Sequence, residues 1–289
     1  MEVLILPNQR RPGIGRAPAR ENRRTWLPQQ ARFCPVLEDG SRLGYLVYPP
    51  LEPQEAYQVR LMEQGLLRFT FFADPGGSAG LKTIFVMDIK PSAGAGGVDA
   101  HDVRFIEEGA GLNPDQVRAL VDTFATNMNA PPGAIGLRGA FDFVTPPGWD
   151  TVYTGVLNET QRPAVPVLTA RIETDWYPQP TEFRFVLQPG DILSASGQAP
   201  IGQVLFVPRE PVELREGDAT DASAFTERQR EYWTERAAKE HATNFGTTYS
   251  YHYRDIQKGH RMGVDGVEEA ARVESAGRRS EEGSEDREM

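Results

Sequence analysis

Residues 169–191 read TARIETDWYPQPTEFRFVLQPGD. A mostly hydrophobic run reaches Glu173, Asp175 and Trp176, and a second run, TEFRFVL, leaves again. Two extended segments therefore meet at an acidic, aromatic corner. The surrounding sequence repeats the pattern. IGLRGAFDFVTPPGW, TVYTGVLN, VPVLTARIETDW, TEFRFVL and QVLFVPREPVEL follow one another between residues 135 and 215. Short β-like runs at a spacing of roughly 10–15 residues, broken by proline and glycine, indicate antiparallel strands. The expected fold is mainly β: an antiparallel β-clip or jelly-roll-like core with one or two helices and extended terminal arms.

Composition narrows the class. The 289 residues suffice for one large domain with extensions, and 28 glycines and 23 prolines suit a turn-rich β-protein. Hydrophobic residues make up 39%, which predicts that part of the length lies outside a packed core. A net charge of −10 disfavours nucleic acid and anionic membranes as partners. A single cysteine, Cys34, excludes an intrachain disulfide framework and points to a reducing, cytoplasmic setting. Val3–Leu6 is too short for a secretory signal and reads as a first strand. No run approaches the ~20 apolar residues of a membrane span.

Four segments are expected. Residues 1–32 form an N-terminal arm, Arg-rich from 8 to 32 (Arg10, Arg11, Arg16, Arg20, Arg23, Arg24 and Arg32), read as a flexible arm or meandering loop, or as a clamp on a partner subunit or an acidic surface. Residues 33–215 form the β-rich core. RLGYLVYPP, GLLRFTFF and KTIFVMDI read as strands, and ADPGGSAG and PSAGAGGVDAH as loops. In NPDQVRALVDTFAT, Asn113 fits an N-cap and Pro114 the first helical position; Val117, Leu120, Val121 and Phe124 form an apolar stripe. Residues 216–262 form a C-terminal helical arm. Within it 222–245 read as a helix with Phe225, Gln229, Tyr232, Trp233 and Arg236 on one face, packing on the core or on a neighbour. Residues 263–289 are polar, strongly acidic and expected to be disordered.

Few motifs carry chemistry. His101, His241, His252 and His260 build no H-x-H, H-x-D or H-E-x-x-H pattern, so no metal site is expected. There is no G-x-S-x-G elbow, and Cys34 in RFCPVL reads as a buried structural thiol. PGIG, PGGSAG and SAGAGG lack the phosphate-loop pattern. The corner remains. Glu173 and Asp175, two apart on an extended chain, would share one face, and crowding would raise one pKa toward that of a general base. The plainer alternative is a polar turn whose acid caps backbone N–H groups while Trp176 plugs the sheet edge.

The stretch from 143 to 210 resembles a bacterial and phage family, a domain of unknown function. The resemblance rests on Pro146-Pro147-Gly148-Trp149, then Asn158, then Glu173-Thr174-Asp175-Trp176, then Gly197, Pro200, Ile201 and Gln203, with one extra residue between Gly197 and Pro200. It spans roughly residues 26–260, with FCPVLEDGSRLGYLVYPP matching the family's opening. More distantly the region is similar to the β-clip fold of trimeric dUTPases and dCTP deaminases. That likeness implies Asp175 as the acid that orients a water, Trp176 as a base-stacking ring and Gln203 as the holder of the final turn. The chain departs from it at Ala170-Arg171 and lacks both a phosphate-binding R-S-G turn and a glycine-rich C-terminal arm.

The expectation from sequence is a non-catalytic structural or binding protein that assembles through its terminal arms, as a homo-oligomer or with other subunits. The alternative is a nucleotide-directed hydrolase or deaminase, with Asp175 and Glu173 catalytic and Trp176, Trp149, Asn158, Gln203, Arg171 and Arg184 lining a small-molecule or nucleotide pocket. Magnesium would be needed only in that case, and no other cofactor is indicated.

Overall fold

The computed structural model describes residues 2–63, 65–74, 80–90, 100–107, 111–126, 133–159, 165–242 and 248–260. Two compact units divide the chain, Met1–Pro211 and Val212–Met289. The glycine-rich stretches 75–79 and 91–99 and the acidic tail lie outside the described residues.

Among the described residues the first unit holds fifteen strands: β1 Leu4–Pro7, β2 Tyr45–Val47, β3 Glu55–Leu61, β4 Leu67–Ala73, β5 Lys82–Ile89, β6 Ala100–Phe105, β7 Ala125–Thr126, β8 Ala134–Arg138, β9 Phe141–Val144, β10 Trp149–Thr154, β11 Val167–Leu168, β12 Ala170–Ile172, β13 Glu182–Val186, β14 Ile192–Ser196 and β15 Gly202–Pro208. Two α-helices accompany them among the described residues, α1 Pro35–Ser41 and α2 Pro114–Phe124, with short 3-10 turns at Arg24–Trp26 and Gln29–Phe33. Every strand pair is antiparallel. The sheets run β14-β3-β4-β5-β6, β11-β13-β8-β7 and β12-β10-β15-β2, with β1-β9 as a separate ribbon, and no barrel closes among the described residues. The mainly antiparallel β reading holds.

One apolar cluster joins the sheets. Burial alternates along β4, so Leu67, Phe69 and Phe71 face inward while the residues between them do not. Helix α2 closes this face. Asn113 and Gln116 form the capping box at its start, and Val117, Val121 and Phe124 are fully buried. The Phe124 ring lies 5.6 Å from Tyr57, 6.2 Å from Phe69 and 5.7 Å from Phe71. Strand β8 is buried along its whole length because it lies between β13 and β7.

The N-terminal segment departs from the flexible arm expected. β1 pairs with β9, and the arginines that follow turn back onto the same unit. Arg11 grips Glu55 with two bonds of 2.6 and 2.7 Å, Arg10 pairs with Asp122, and Arg16 and Arg20 lie over the rings of Tyr48 and Tyr45. Arg23 is 3% exposed. The arginine density serves internal pairing and stacking. Cys34, expected to be buried, is half-buried at the N-cap of α1, where the chain enters a surface helix through Pro35.

In the second unit, α3 spans Ala219–Ala238, and a hairpin of β16 Glu240–Ala242 and β17 Thr248–Ser250 precedes a helical stretch, 252–260. The helix expected over 222–245 stops earlier, because Lys239 leaves helical geometry and β16 follows at once. His252, 1% exposed, packs its ring 5.1 Å from Tyr232.

Phe124→Ala tests the centre of the aromatic core. A fully buried Phe lost to Ala costs about 3–5 kcal/mol, whereas Leu at this position costs less because it fills more of the space. Urea unfolding should show that order, and equal stability of wild type and Phe124→Ala would refute the packing described.

Candidate functional site

The corner is built by strand register. β10 lies between β12 and β15, with Val152 opposite Arg171 and Asp150 opposite Val207. Side chains alternate along each strand, so Asp150, Val152, Arg171 and Val207 share one face. Arg209, two residues past Val207, returns to that face, and its backbone N–H donates to the Gly148 carbonyl at 2.8 Å. Asp150 is thus flanked by two guanidiniums. Arg171 Nε donates to its Oδ2 at 2.7 Å and Arg209 Nε to its Oδ1 at 2.9 Å.

Two turns bring the other acids in. Pro146-Pro147-Gly148-Trp149 is closed by the Trp149 N–H to the Pro146 carbonyl, and Gly148 has φ +80°, a conformation that L side chains rarely adopt. Glu173–Tyr177 forms a single helical turn, with the Tyr177 N–H donating to the Glu173 carbonyl at 2.9 Å. Asp175 accepts from the Gly148 N–H at 3.1 Å and from Arg209 Nη2 at 2.6 Å. Glu173 Oε1 lies 3.6 Å from Arg209 Nε, and its Oε2 accepts from the Trp176 indole N–H at 2.6 Å. One arginine therefore touches three carboxylates.

Behind this layer lies a buried hydroxyl cluster. Thr174 Oγ1 is 2.9 Å from Thr145 Oγ1 and 2.7 Å from Thr151 Oγ1, and Thr145 Oγ1 donates to the Trp149 carbonyl at 2.6 Å.

These contacts set the electrostatics. The Arg209 hydrogen bond, helped by Gly148 N–H, holds the Asp175 carboxyl below the usual carboxylate range. Burial works against ionisation of Asp150, but the Arg209 and Arg171 hydrogen bonds outweigh it and hold its carboxyl low as well. Arg209 is pushed up, first by its bond to Asp175 and then by Asp150. Crowding beside Glu173 does not raise Asp175, because the Arg209 guanidinium lies against both acids. Asp175 behaves as a turn cap, while Trp176, expected to plug the sheet edge, is 65% exposed.

The remaining expected residues divide by position. Glu173, Asp175, Trp176 and Arg171 come together around Arg209 and Asp150, whereas Trp149, half-buried, lies on the opposite face of β10 from Asp150. Gln203 lies at the other end of the β10–β15 ladder, opposite Thr154, and is fully buried. Its Oε1 accepts from Arg23 Nη1 at 2.7 Å and from Leu157 N–H at 3.0 Å, and its Nε2 donates to the Leu43 carbonyl. Asn158 stands beside this group at φ +60°, donating to Ser41 Oγ at 3.2 Å. Arg184 lies on β13, in a different sheet, 2.9 Å from Glu182. Sequence reasoning missed Asp150, Arg209 and the buried Arg23. The only available signal was alternation: an acid one residue after PPGW and an arginine just past a strand-ending proline.

A depression of about 320 Å³ opens on the outer face of β14-β3-β4, beside Ala56, Gln58, Phe72, Leu81, Ser194 and Ser196, away from the corner. No protein-family model, curated protein or solved structure matches the chain.

Asp150 and Asp175 titrate lower in the folded chain than in the unfolded one. Their contribution to stability is present above the unfolded value of about 3.9 and fades as pH falls through the folded values. Asp175→Asn should lower the thermal midpoint by several degrees at neutral pH and flatten its decline below about pH 4 relative to wild type. Superimposable pH profiles would show that Asp175 is not held by Arg209.

Proposed function

We propose that this chain is a non-catalytic structural or binding protein that assembles with other subunits, foremost copies of itself, through its terminal segments. The observation that carries this reading is α3. It has twenty residues, none of them buried, and Phe225 and Trp233 are each 55% exposed. With Arg228, Gln229 and Tyr232 they line a shallow concavity of about 400 Å³. Isolated helices are marginal in water and gain most of their stability from packing an apolar face. Aromatic residues beside arginine, in an otherwise polar helix, have the composition of an interface centre. Arg236 over the Trp233 ring, 5.1 Å from its centroid, keeps that face ordered before a partner arrives.

Support for assembly over a nucleotide-directed hydrolase or deaminase comes from the corner. A general base needs a carboxylate that reaches its substrate and titrates near working pH. Asp150 and Asp175 are engaged by Arg209 and held low, and the two depressions described open elsewhere. Phosphate recognition needs free cations or backbone donors, and both cations here are paired with carboxylates. On this reading the family likeness around Trp149 and Trp176 reflects a shared scaffold, and the corner is a latch that holds it.

The test is the mass in solution. Light scattering on the purified full chain should give a multiple of 32.1 kDa. The double variant Phe225→Ser/Trp233→Ser should weaken assembly with any partner that docks on α3 while leaving the melting of the first unit unchanged. A wild-type chain of single mass with no captured subunit would refute the reading. So would nucleotide-dependent stabilisation that Asp175→Asn abolishes, since mass action would then reveal a pocket.

A further inference from the structure

We propose that β1 is a dimerisation edge, whose outer side pairs antiparallel with β1 of a second copy across a two-fold axis at Ile5. The proposal rests on the assembly reading above and names a segment and a register for it. Leu4, Ile5 and Leu6 are 55%, 40% and 39% exposed, and all four residues of the strand lie on the surface. Among the described residues the strand partner of β1 is β9 alone, so its other side is an open edge. Natural edges are usually blunted by charge, and here three aliphatic residues stand in a row.

The hydrogen-bond phase is fixed by one contact. Leu4 opposes Val144, so continuing the register places Asn8 opposite Ala140, and the Asn8 N–H donates to the Ala140 carbonyl at 2.9 Å. Bonded and non-bonded pairs alternate along an antiparallel ladder. Leu6 and Leu4 therefore bond to β9, while the N–H and C=O of Ile5 and the C=O of Pro7 point to the open edge. The Pro7 carbonyl accepts from the Gln9 side-chain amide at 3.1 Å, as a carbonyl facing away from β9 can.

This edge is self-complementary in one register. Across a two-fold axis at Ile5, the two Ile5 residues exchange both backbone bonds, and each Val3 N–H meets the Pro7 carbonyl of the other copy. Proline lacks an N–H, so this arrangement uses the one group it can offer. Leu4 packs against Leu6 of the second copy in a close, non-bonded pair. The β1-β9 ribbon becomes half of a four-stranded sheet, which removes both the open edge and the marginal stability of a two-stranded ribbon.

Light scattering on the full chain, with Ile5→Lys beside wild type, tests this. The expected result is a two-fold drop in mass for the variant with its melting temperature retained, since Ile5 is on the surface. Ile5→Cys in a Cys34→Ala background supplies a check that does not depend on disruption. Paired strands bring the two Cα atoms to about 5.5 Å, within disulfide range, so oxidation should yield a covalent dimer that dithiothreitol reverses. A wild-type oligomer that survives Ile5→Lys and leaves Ile5→Cys uncrosslinked overturns β1 pairing while assembly through another segment stands. A wild-type chain of single mass overturns both.

Discussion

Arg209 is the residue on which the corner closes. Its backbone N–H fastens the end of β15 to the PPGW turn, and its guanidinium reaches Asp150, Asp175 and Glu173. Its removal would loosen three chain segments at once, the start of β10, the turn after β12 and the exit from β15, and leave only the strand ladders, the Gly148–Asp175 bond, the threonine cluster and Arg171 to join them. Asp150 is 2% exposed, and a carboxylate so enclosed is tolerated only with partners close at hand. The cation therefore decides where these strands end, which a hydrophobic contact, being non-directional, could not do.

Much of the fold was legible because period-two alternation is a local property. LRFTFFA and EFRFV carry it, KTIFVMDI shows instead a short continuous apolar run, and each is a strand. The N-cap Asn113 with Pro114 announced α2 just as directly. β14, ILSAS, escaped notice because serine and alanine give no contrast between its faces. β3 begins with Glu55, which belongs to Arg11, a partner 44 residues away.

The corner was half legible for the same reason. ETDW is a visible cluster, but whether its acids are crowded or neutralised depends on Arg209, 34 residues beyond Asp175 and carrying no motif of its own. Sequence spacing shows which charges are neighbours along the chain, and a pKa depends on neighbours in space. The N-terminal arginines show the same limit. A run of cations on a chain of net charge −10 reads as a clamp for something acidic, and the acids and rings it finds are Glu55, Asp122, Tyr45 and Tyr48 of its own unit.

The three threonines behind the corner have a direction. A hydroxyl has one proton to give. Thr145 gives its own to the Trp149 carbonyl, so toward Thr174 it can only accept. Thr174 must then give its proton to Thr145, which leaves it able only to accept from Thr151. The order Thr151 to Thr174 to Thr145 to the peptide is the single arrangement that satisfies every member, and the cluster has no alternative isomer to populate. Valine matches threonine in shape, yet at position 174 it would strand a donor on one side and an acceptor on the other. Serine would preserve the order, so the chemistry of one atom, more than the volume of the side chain, restricts that position.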